Sequence, residues 1–437
     1  MSTRLKRVAL HTLGCKLNYA ETDTLAQRFE EAGYETIAFN EPADVYVINS
    51  CSVTENADTE CRQLVRRVKK INPESKVVVT GCYAELKPER LKTISGIDLV
   101  IGNRNKFNVV SQVERHAHNE AIQNESVLGP ISFQPSYSYA SRTRSFLKVQ
   151  DGCDYNCTFC TIPLARGLSR SASIADVLKQ VDTLAQKGVK EIVLTGINLG
   201  DFGFGPARDV SMRKTEHFLD LLKALDNCSN IVRFRVSSVE PNLMSDAIIK
   251  FIAHSQRFAP HVHMPLQSGS DEILKRMKRR YKSDLYRERV TAIKSLMPHA
   301  AIGCDVIVGF PGEHSGYFNE TEGLLKELEV SYLHVFSYSE RVNTPATALE
   351  GKVSVQECRI RSNQLRKLSE LKLQQFSAAF HLSQRPVLWE QPHNGKIRGY
   401  TDNYIRVQSV NHLNAAGEMQ PTTLFWDDEQ KAMWALE

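Results

Sequence analysis

The sequence predicts an α/β protein of three units: a doubly wound N-terminal α/β domain, a partial (β/α) barrel and a small C-terminal β-barrel. Three observations predict it. Residues 6–118 alternate apolar, strand-length runs with amphipathic helical segments. Residues 141–373 repeat that alternation through six further strand candidates. From Gln374 the texture changes to short β-rich pieces separated by turn residues. At 437 residues the chain is also too long for one ordinary core, so two or three domains are expected.

In the first unit, residues 1–118, the strand candidates are 7–13, 44–49, 77–80 and 98–101, with helical periodicity over 21–32 and 56–71. Such a βαβα alternation implies a parallel, doubly wound sheet. Residues 119–140 are polar with Pro, Gly and Ser, and read as a linker. The second unit, 141–373, has strand candidates at 146–150, 191–195, 231–237, 261–265, 301–309 and 332–336, each pair separated by a helix-length segment, which predicts a barrel or partial barrel. The third unit, 374–437, has candidates at 385–390, 396–401, 404–408 and 422–426, with Asn394-Gly395 and Asp402-Asn403 at turns, which predicts a small β-barrel.

Composition excludes some classes. Apolar and charged fractions are ordinary for a globular protein, and no apolar run is long enough to span a bilayer. The basic N-terminus leads into a short, polar-interrupted apolar stretch, which reads as a first strand rather than a signal peptide. A cytosolic location without membrane attachment is expected. The net charge of +5 says little about nucleic acid, so local clusters matter more.

Ten cysteines in a cytosolic chain of this size point to metal or catalysis more than to disulfides. Cys153, Cys157 and Cys160 form a CxxxCxxC loop. Three thiolates on one tight loop suit a 4Fe-4S cluster with one iron left open, whereas a zinc site would want a fourth ligand that the neighbouring sequence lacks. Cys15, Cys51 and Cys82 each stand just past a predicted strand of the first sheet, after Gly14, Ser50 and Gly81. Parallel strands share one carboxyl edge, so the three should converge there. Three unrelated buried cysteines are an equal alternative on these grounds.

The loop with its flanks, Val149-Gln150-Asp151-Gly152 and Thr161-Ile162-Pro163-Leu164-Ala165-Arg166-Gly167, resembles the signature of the radical S-adenosylmethionine superfamily, and within it the methylthiotransferases. Gly14-Cys15-Lys16-Leu17-Asn18 resembles the first motif of that family. The resemblance implies two 4Fe-4S clusters, one on Cys153, Cys157 and Cys160 and an auxiliary one on Cys15, Cys51 and Cys82. It implies that S-adenosyl-L-methionine binds the open iron and is cleaved to a 5′-deoxyadenosyl radical. By the same resemblance Thr195 and Gly196, Ser237, Glu240 and Gln267, all at strand ends, contact that cofactor. No side chain is assigned a catalytic role. Cys61, Cys228, Cys304 and Cys358 fit neither set and read as structural. In the family-like stretch 334–346 the usual glycine is Asn343, which tolerates the left-handed backbone.

Two further stretches bear on RNA. Residues 275–282 are the densest basic run, readable as a solvated helix face or as a phosphate-tracking patch with Tyr281 for stacking; the resembled family carries a similar run, which implies that part of it serves the active-site edge. The last unit resembles a TRAM domain on the strength of 399–404. From Gln374 onward five Lys/Arg stand against seven Asp/Glu, so RNA contact there needs a local patch, with Lys396, Arg398, Arg406, Tyr400 and Tyr404 as candidates.

Cys15-Lys16-Leu17-Asn18, with Glu21 following, resembles the branch that acts on tRNA carrying N6-threonylcarbamoyladenosine beside the anticodon; the isopentenyladenosine branch tends to read Cys-Gln-x-Asn. The implied reaction converts that base to its 2-methylthio derivative. One S-adenosylmethionine methylates a sulfur at the auxiliary cluster, and a second yields the radical that activates adenine C2–H. The implied partners are the modified tRNA and an electron donor such as flavodoxin or ferredoxin, with the enzyme a monomer. Two rivals are a methylthiotransferase of a ribosomal protein and a non-enzymatic iron–sulfur RNA-binding protein.

Overall fold

The computed structural model describes residues 5–52, 55–117, 132–139, 143–207, 213–228 and 230–436. Most of the predicted linker, residues 119–131 and 140, lies outside these residues.

Every residue of strand Val45–Ser50 is buried, as suits the centre of a parallel sheet covered on both faces. The spatial order is Glu35–Thr36, Arg7–Thr12, Val45–Ser50, Lys76–Gly81, Leu99–Ile101, all neighbours parallel. Alternate side chains serve two cores. Ala9, Tyr46, Ile48 and Val79 pack with Cys61 and Val65 of helix Glu55–Ile71. Val8, Val45, Val47 and Val78 pack with Leu25 and Phe29 of helix Lys16–Glu31. The strand order reverses between Arg7–Thr12 and Val45–Ser50, which opens the crevice where doubly wound sheets bind ligands. The two-residue edge strand Glu35–Thr36 has no burial pattern to read, since both residues are exposed.

The second unit places Ser145–Lys148, Glu191–Thr195 and Arg233–Val236 in one parallel sheet and His261–His263, Ala301–Val308 and Tyr332–Ser337 in another. Parallel bridges from Phe234 to Phe258 and from Ser238 to His263 join the two into one curved, partial barrel. Leu147, Ile192, Leu194 and Phe234 pack outward against helices such as Ile174–Gln186, through Val177, Val181 and Leu184. Strand alternation then turns Lys148, Glu191, Val193 and Arg235 toward the lumen.

One sequence-based expectation is corrected here. The end of the predicted linker, Ser136–Tyr137, is a strand antiparallel to Ser145–Lys148. Its polarity suggested a loop, but Ser138 Oγ accepts from the Phe146 amide at 2.7 Å, so the buried hydroxyl is satisfied.

The third unit is a closed barrel in the order Gln384–Trp389, Ile397–Thr401, Arg406–Ser409, Ala432–Leu436, Met419–Asp427, around Val387, Trp389, Ile397, Val407 and Leu424. The strand missed in the sequence, Ala432–Leu436, closes it. Helix Val355–Ala378 runs on past residue 374, the predicted boundary, and delivers the chain to this barrel. No helix among the described residues is long and apolar enough to cross a membrane.

Candidate active site

Both ends of the CxxxCxxC loop are tied down. Gln150–Asp151 pairs antiparallel with Arg170–Ser171, and the Cys153 amide donates to the Gly167 carbonyl at 3.1 Å. Gly152 has φ 71°, and a Cβ there would lie 2.1 Å from the Leu168 carbonyl oxygen, so only glycine fits. Each sulfur has one N–H aimed at it: Tyr155 N at 3.4 Å from Cys153 Sγ, Ile162 N at 3.4 Å from Cys160 Sγ, and Arg279 Nη1 at 3.1 Å from Cys157 Sγ. Burial pushes the Cys153 and Cys160 thiols up to about 12. Unligated they keep their protons, which a bound cluster would displace.

The second set converges as expected of a parallel sheet. The register aligns Thr12, Asn49 and Thr80, which puts Cys15, Cys51 and Cys82 just past three adjacent strand ends at the crevice. A Cβ on Gly14 would lie 2.7 Å from Cys51 Sγ, and one on Gly81 would lie 2.4 Å from the Ser50 carbonyl oxygen, so the loops approach as only glycine allows. Asn18 Nδ2 donates to the Leu13 carbonyl at 2.8 Å and the Ser50 carbonyl at 3.2 Å, binding two of these loops together.

Among the described residues neither cysteine set brings three ligand atoms within 4.8 Å of one another. Zinc, with bonds of about 2.3 Å to sulfur, needs its ligands that close. A cubane holds each thiolate on its own iron and leaves one iron open, so three thiolates without a fourth protein ligand suit a 4Fe-4S cluster. Cys61 is buried in the sheet core with its thiol pushed by burial up to about 12, and Cys304 is buried in the barrel wall likewise.

The two cysteine-bearing regions are joined by a polar lock. Helix Cys82–Leu86 packs against Ile162–Arg166. Asn103 Nδ2 donates to the Ala165 carbonyl at 2.8 Å and lies 3.8 Å from Cys82 Sγ. Arg166 donates to Asn18 Oδ1 at 2.6 Å, Glu21 Oε1 at 3.0 Å and Asp151 Oδ1 at 3.1 Å. Glu21 also holds Lys106 at 2.6 Å and Lys148 at 2.7 Å, and Asp151 holds Lys148 at 2.8 Å and Arg170 at 2.9 Å. All these side chains are buried. Burial pushes both carboxyls up, but the surrounding cations outweigh it and hold them below the ordinary carboxylate range. Four cations against two carboxylates leave positive charge beside the cysteines, which suits thiolate ligands.

The expected cofactor contacts divide. Gln267 lines a cavity of about 220 Å3 with Phe159, Cys160, Asp305 and Ser337. Its φ of 66° is a conformation that costs a non-glycine residue about 1–3 kcal/mol, and it is held by Gln267 N to the Asp305 carbonyl at 2.8 Å and Ile307 N to the Gln267 carbonyl at 2.9 Å. The Thr195 hydroxyl instead donates to the Val193 carbonyl at 3.1 Å. Gly196 sits where a Cβ would meet Gln150 at 2.9 Å. The Ser237 amide donates to the Leu194 carbonyl at 3.3 Å, and the side chain is buried. Glu240 pairs with Arg279; burial pushes its carboxyl up, against the pull of that guanidinium.

Three site residues were missed in the sequence. Gln150 Oε1 accepts from Ile197 N and Asn198 N at 2.9 Å, while Nε2 donates to the Gly152 carbonyl at 2.8 Å and to Ser169 Oγ at 3.0 Å, so it joins the cysteine loop to the next strand end. Its place in the quoted flank was the available signal. Arg279 lies in the basic run, but its side chain is nearly out of solvent beneath Cys157. This corrects one part of the phosphate-patch reading, the stacking role of Tyr281: that ring is buried and its hydroxyl donates to the Leu266 carbonyl at 2.8 Å, while Lys275, Arg276, Lys278, Arg280 and Lys282 stay exposed. Asp305 accepts from His263 Nε2 at 3.0 Å and His334 Nδ1 at 3.2 Å, and these three could hold one ion. Burial pushes the Asp305 carboxyl up, and the two imidazoles outweigh it. The turn at Asn343 is left-handed, φ 68°, as its identity allowed.

From His334 a groove of about 660 Å3 runs outward between the barrel wall and the last unit, lined by Tyr400, Tyr404, Arg398, Arg406 and Lys431. Tyr400 and Tyr404 are stacked, 4.9 Å between centres. Lys396 stands elsewhere, over the Trp434 ring at 5.0 Å.

Comparison with known proteins matches this anatomy. Residues 7–102 match the Uncharacterized protein family UPF0004, and residues 147–325 match the Radical SAM superfamily. The chain is 38% identical over 412 residues to the threonylcarbamoyladenosine tRNA methylthiotransferase MtaB of Bacillus subtilis (strain 168), covering 92% of this chain and 89% of that one. It is 39% identical to the MtaB of Aquifex aeolicus (strain VF5), covering 85% and 89%. The fold resembles the radical S-adenosylmethionine methyltransferase TsrM from Kitasatospora setae, solved with cobalamin and a [4Fe-4S] cluster, at TM-score 0.58 and 13% identity over 78% of this chain and 77% of that one. With both cysteine sets in place and identity of this level along nearly the whole chain, the chain belongs to the MtaB-type methylthiotransferases of the radical S-adenosylmethionine superfamily.

Proposed function

We propose that this chain transfers a methylthio group to C2 of N6-threonylcarbamoyladenosine beside the anticodon of tRNA, in the cytosol. In this reading Cys153, Cys157 and Cys160 hold one 4Fe-4S cluster and Cys15, Cys51 and Cys82 the other. S-adenosylmethionine binds at the barrel mouth beside Gln267, and a flavodoxin- or ferredoxin-type protein supplies electrons to a monomer. The observation that carries it is the joining of the two cysteine-bearing regions through the Arg166 lock. The relatives named above are tRNA methylthiotransferases by name, which favours tRNA over a ribosomal protein.

When bound, the clusters and S-adenosylmethionine supply the radical and the sulfur. The chain's own residues position and shield. Gln150 and Gly152 fix the cysteine loop against the strand ends. Arg279 donates to the Cys157 sulfur and is itself held by Glu240, a bond that tunes a thiolate ligand. Arg398, Arg406 and Lys431 give the groove the positive charge to track RNA phosphates.

The test is a side-by-side turnover assay on anticodon stem-loops carrying threonylcarbamoyladenosine or isopentenyladenosine, at one salt concentration because phosphate contacts are salt-dependent. A pocket that pairs polar groups rejects an apolar substituent, and a difference on the order of a hundredfold or more is expected. Equal turnover, or preference for the isopentenyl stem-loop, would overturn the substrate assignment and leave the reaction class standing.

Arg166 is a positioning residue in this reading. Arg166→Met should cost about 1–3 kcal/mol, since Asn18, Glu21 and Asp151 lose buried hydrogen bonds while Lys106, Lys148 and Arg170 still pair the carboxylates, and lower the unfolding temperature. It should also raise the ratio of deoxyadenosine released to methylthio product several-fold, because proximity of the two centres is lost. A lower unfolding temperature with an unchanged ratio would show a merely structural role.

A further inference from the structure

We propose that Lys16, with Arg144 beside it, forms the subsite that binds the carboxylate of the threonyl group; this rests on the substrate reading above. A cavity of about 290 Å3 lies where the three units meet, near the lower limit of about 300 Å3 for small-ligand pockets. Gly14 and Lys16 of the first unit, Arg144 and Arg235 of the barrel, and Tyr400 and Tyr404 of the last unit line it.

The charges around this cavity do not balance. Arg235 donates to Glu191 at 2.8 Å and to the Asp402 carbonyl at 2.9 Å. Glu191 also takes Arg233 at 2.5 Å, so one carboxylate serves two guanidiniums. Arg144 lies 4.4 Å over the Tyr400 ring, and its carboxylate partner, Glu390, is 3.5 Å away. The Lys16 side chain is half-buried, and its ammonium makes no hydrogen bond or salt bridge among the described residues. The groups within its electrostatic reach are Tyr404, Arg144, Arg235 and Asp305, and Asp305 is already shared by His263 and His334. The surplus registers on a neighbour: burial pushes the Tyr404 phenol up, yet Lys16, Arg144 and Arg235 outweigh it and draw it below its ordinary value. An unpaired ammonium among further cations in a half-enclosed site calls for an anion.

Place and shape select which anion. Lys16 follows Cys15, so an anion held there is one residue from a proposed ligand of the cluster that carries the sulfur. The N6 substituent and C2 share the Watson–Crick edge of adenine, so seating the carboxylate at Lys16 brings C2 to that side. An inward cavity walled by tyrosines suits a base substituent, whereas the groove with Arg398 and Arg406 suits the backbone phosphates.

The experiment measures dissociation constants of the cluster-loaded enzyme for two stem-loops, one with threonylcarbamoyladenosine and one with its carboxamide analogue, so a turnover-dead variant still reports. The wild type should bind the acid at least about tenfold more tightly, the worth of about 1.4 kcal/mol. Lys16→Met should abolish that ratio, Lys16→Arg should retain it, and Arg144→Met should reduce it. Equal binding of acid and amide by the wild type would overturn the subsite whatever the variants do. Weakening of both ligands alike in Lys16→Met would assign Lys16 to a backbone phosphate and overturn it too. Failure of the substrate reading looks different: it shows in turnover, as methylthiolation of the isopentenyl stem-loop equal to or better than that of the acid stem-loop.

Discussion

With Cys15, Cys51 and Cys82 all replaced by Ala, methylthio transfer should fall to background while reductive cleavage of S-adenosylmethionine continues. The expectation rests on separate supports for the two cysteine sets. Cys15, Cys51 and Cys82 hang from the parallel sheet of the first unit, which has cores of its own on both faces. The CxxxCxxC loop is tied by the pairing of Gln150–Asp151 with Arg170–Ser171, by Gly152 and by Arg279, none of which depends on those three sulfurs. Asn18, Glu21 and Arg166 remain, so the lock between the units should hold. The measurement is deoxyadenosine and methylthio nucleoside from the same reaction, with iron counted beforehand. Absence of deoxyadenosine in a variant whose remaining cluster is intact would sink the division of labour.

The converse variant, Cys153, Cys157 and Cys160 replaced together by Ala, should lose reductive cleavage entirely and keep about half the iron, in the auxiliary site, since each three-cysteine set is expected to hold one four-iron cluster. Both products should then fall to background, because among the described residues of the barrel no other three sulfurs come together on one centre. Iron falling to zero, or not falling, would refute two independent sites. Mössbauer or electron paramagnetic resonance spectra of the two triple variants should add up to that of the parent.

Part of this was legible in the order of residues. Glu191–Thr195 could be bounded because Ile192 and Leu194 alternate with inward-facing neighbours and the strand ends at a glycine turn. Cys153, Cys157 and Cys160 share one short loop, so their spacing alone restricts the chemistry. Cys15, Cys51 and Cys82 are far apart in the chain, yet each follows a parallel strand, and parallel strands end on one edge. The misses have local reasons as well. Glu35–Thr36 and Ser136–Tyr137 are too short to show a period, and Ala432–Leu436 is half-exposed at the end of the chain.

The sequence by itself determined the three units, the ligand residues proposed for the clusters and the resemblance that points to the reaction, because these depend on short-range pattern and on which strand ends are neighbours. Only the tertiary structure decided what the charged residues do. Arg279 and Lys275 stand in the same basic run, but one is buried beneath Cys157 and the other faces solvent. Arg166 meets Glu21 across 145 positions, and Lys16 meets Tyr404 only because the last barrel closes against the first unit. A long charged side chain shows the same letter whether solvated or buried, and its energetic meaning is set by the partners and the dielectric around it, which distant parts of the chain supply.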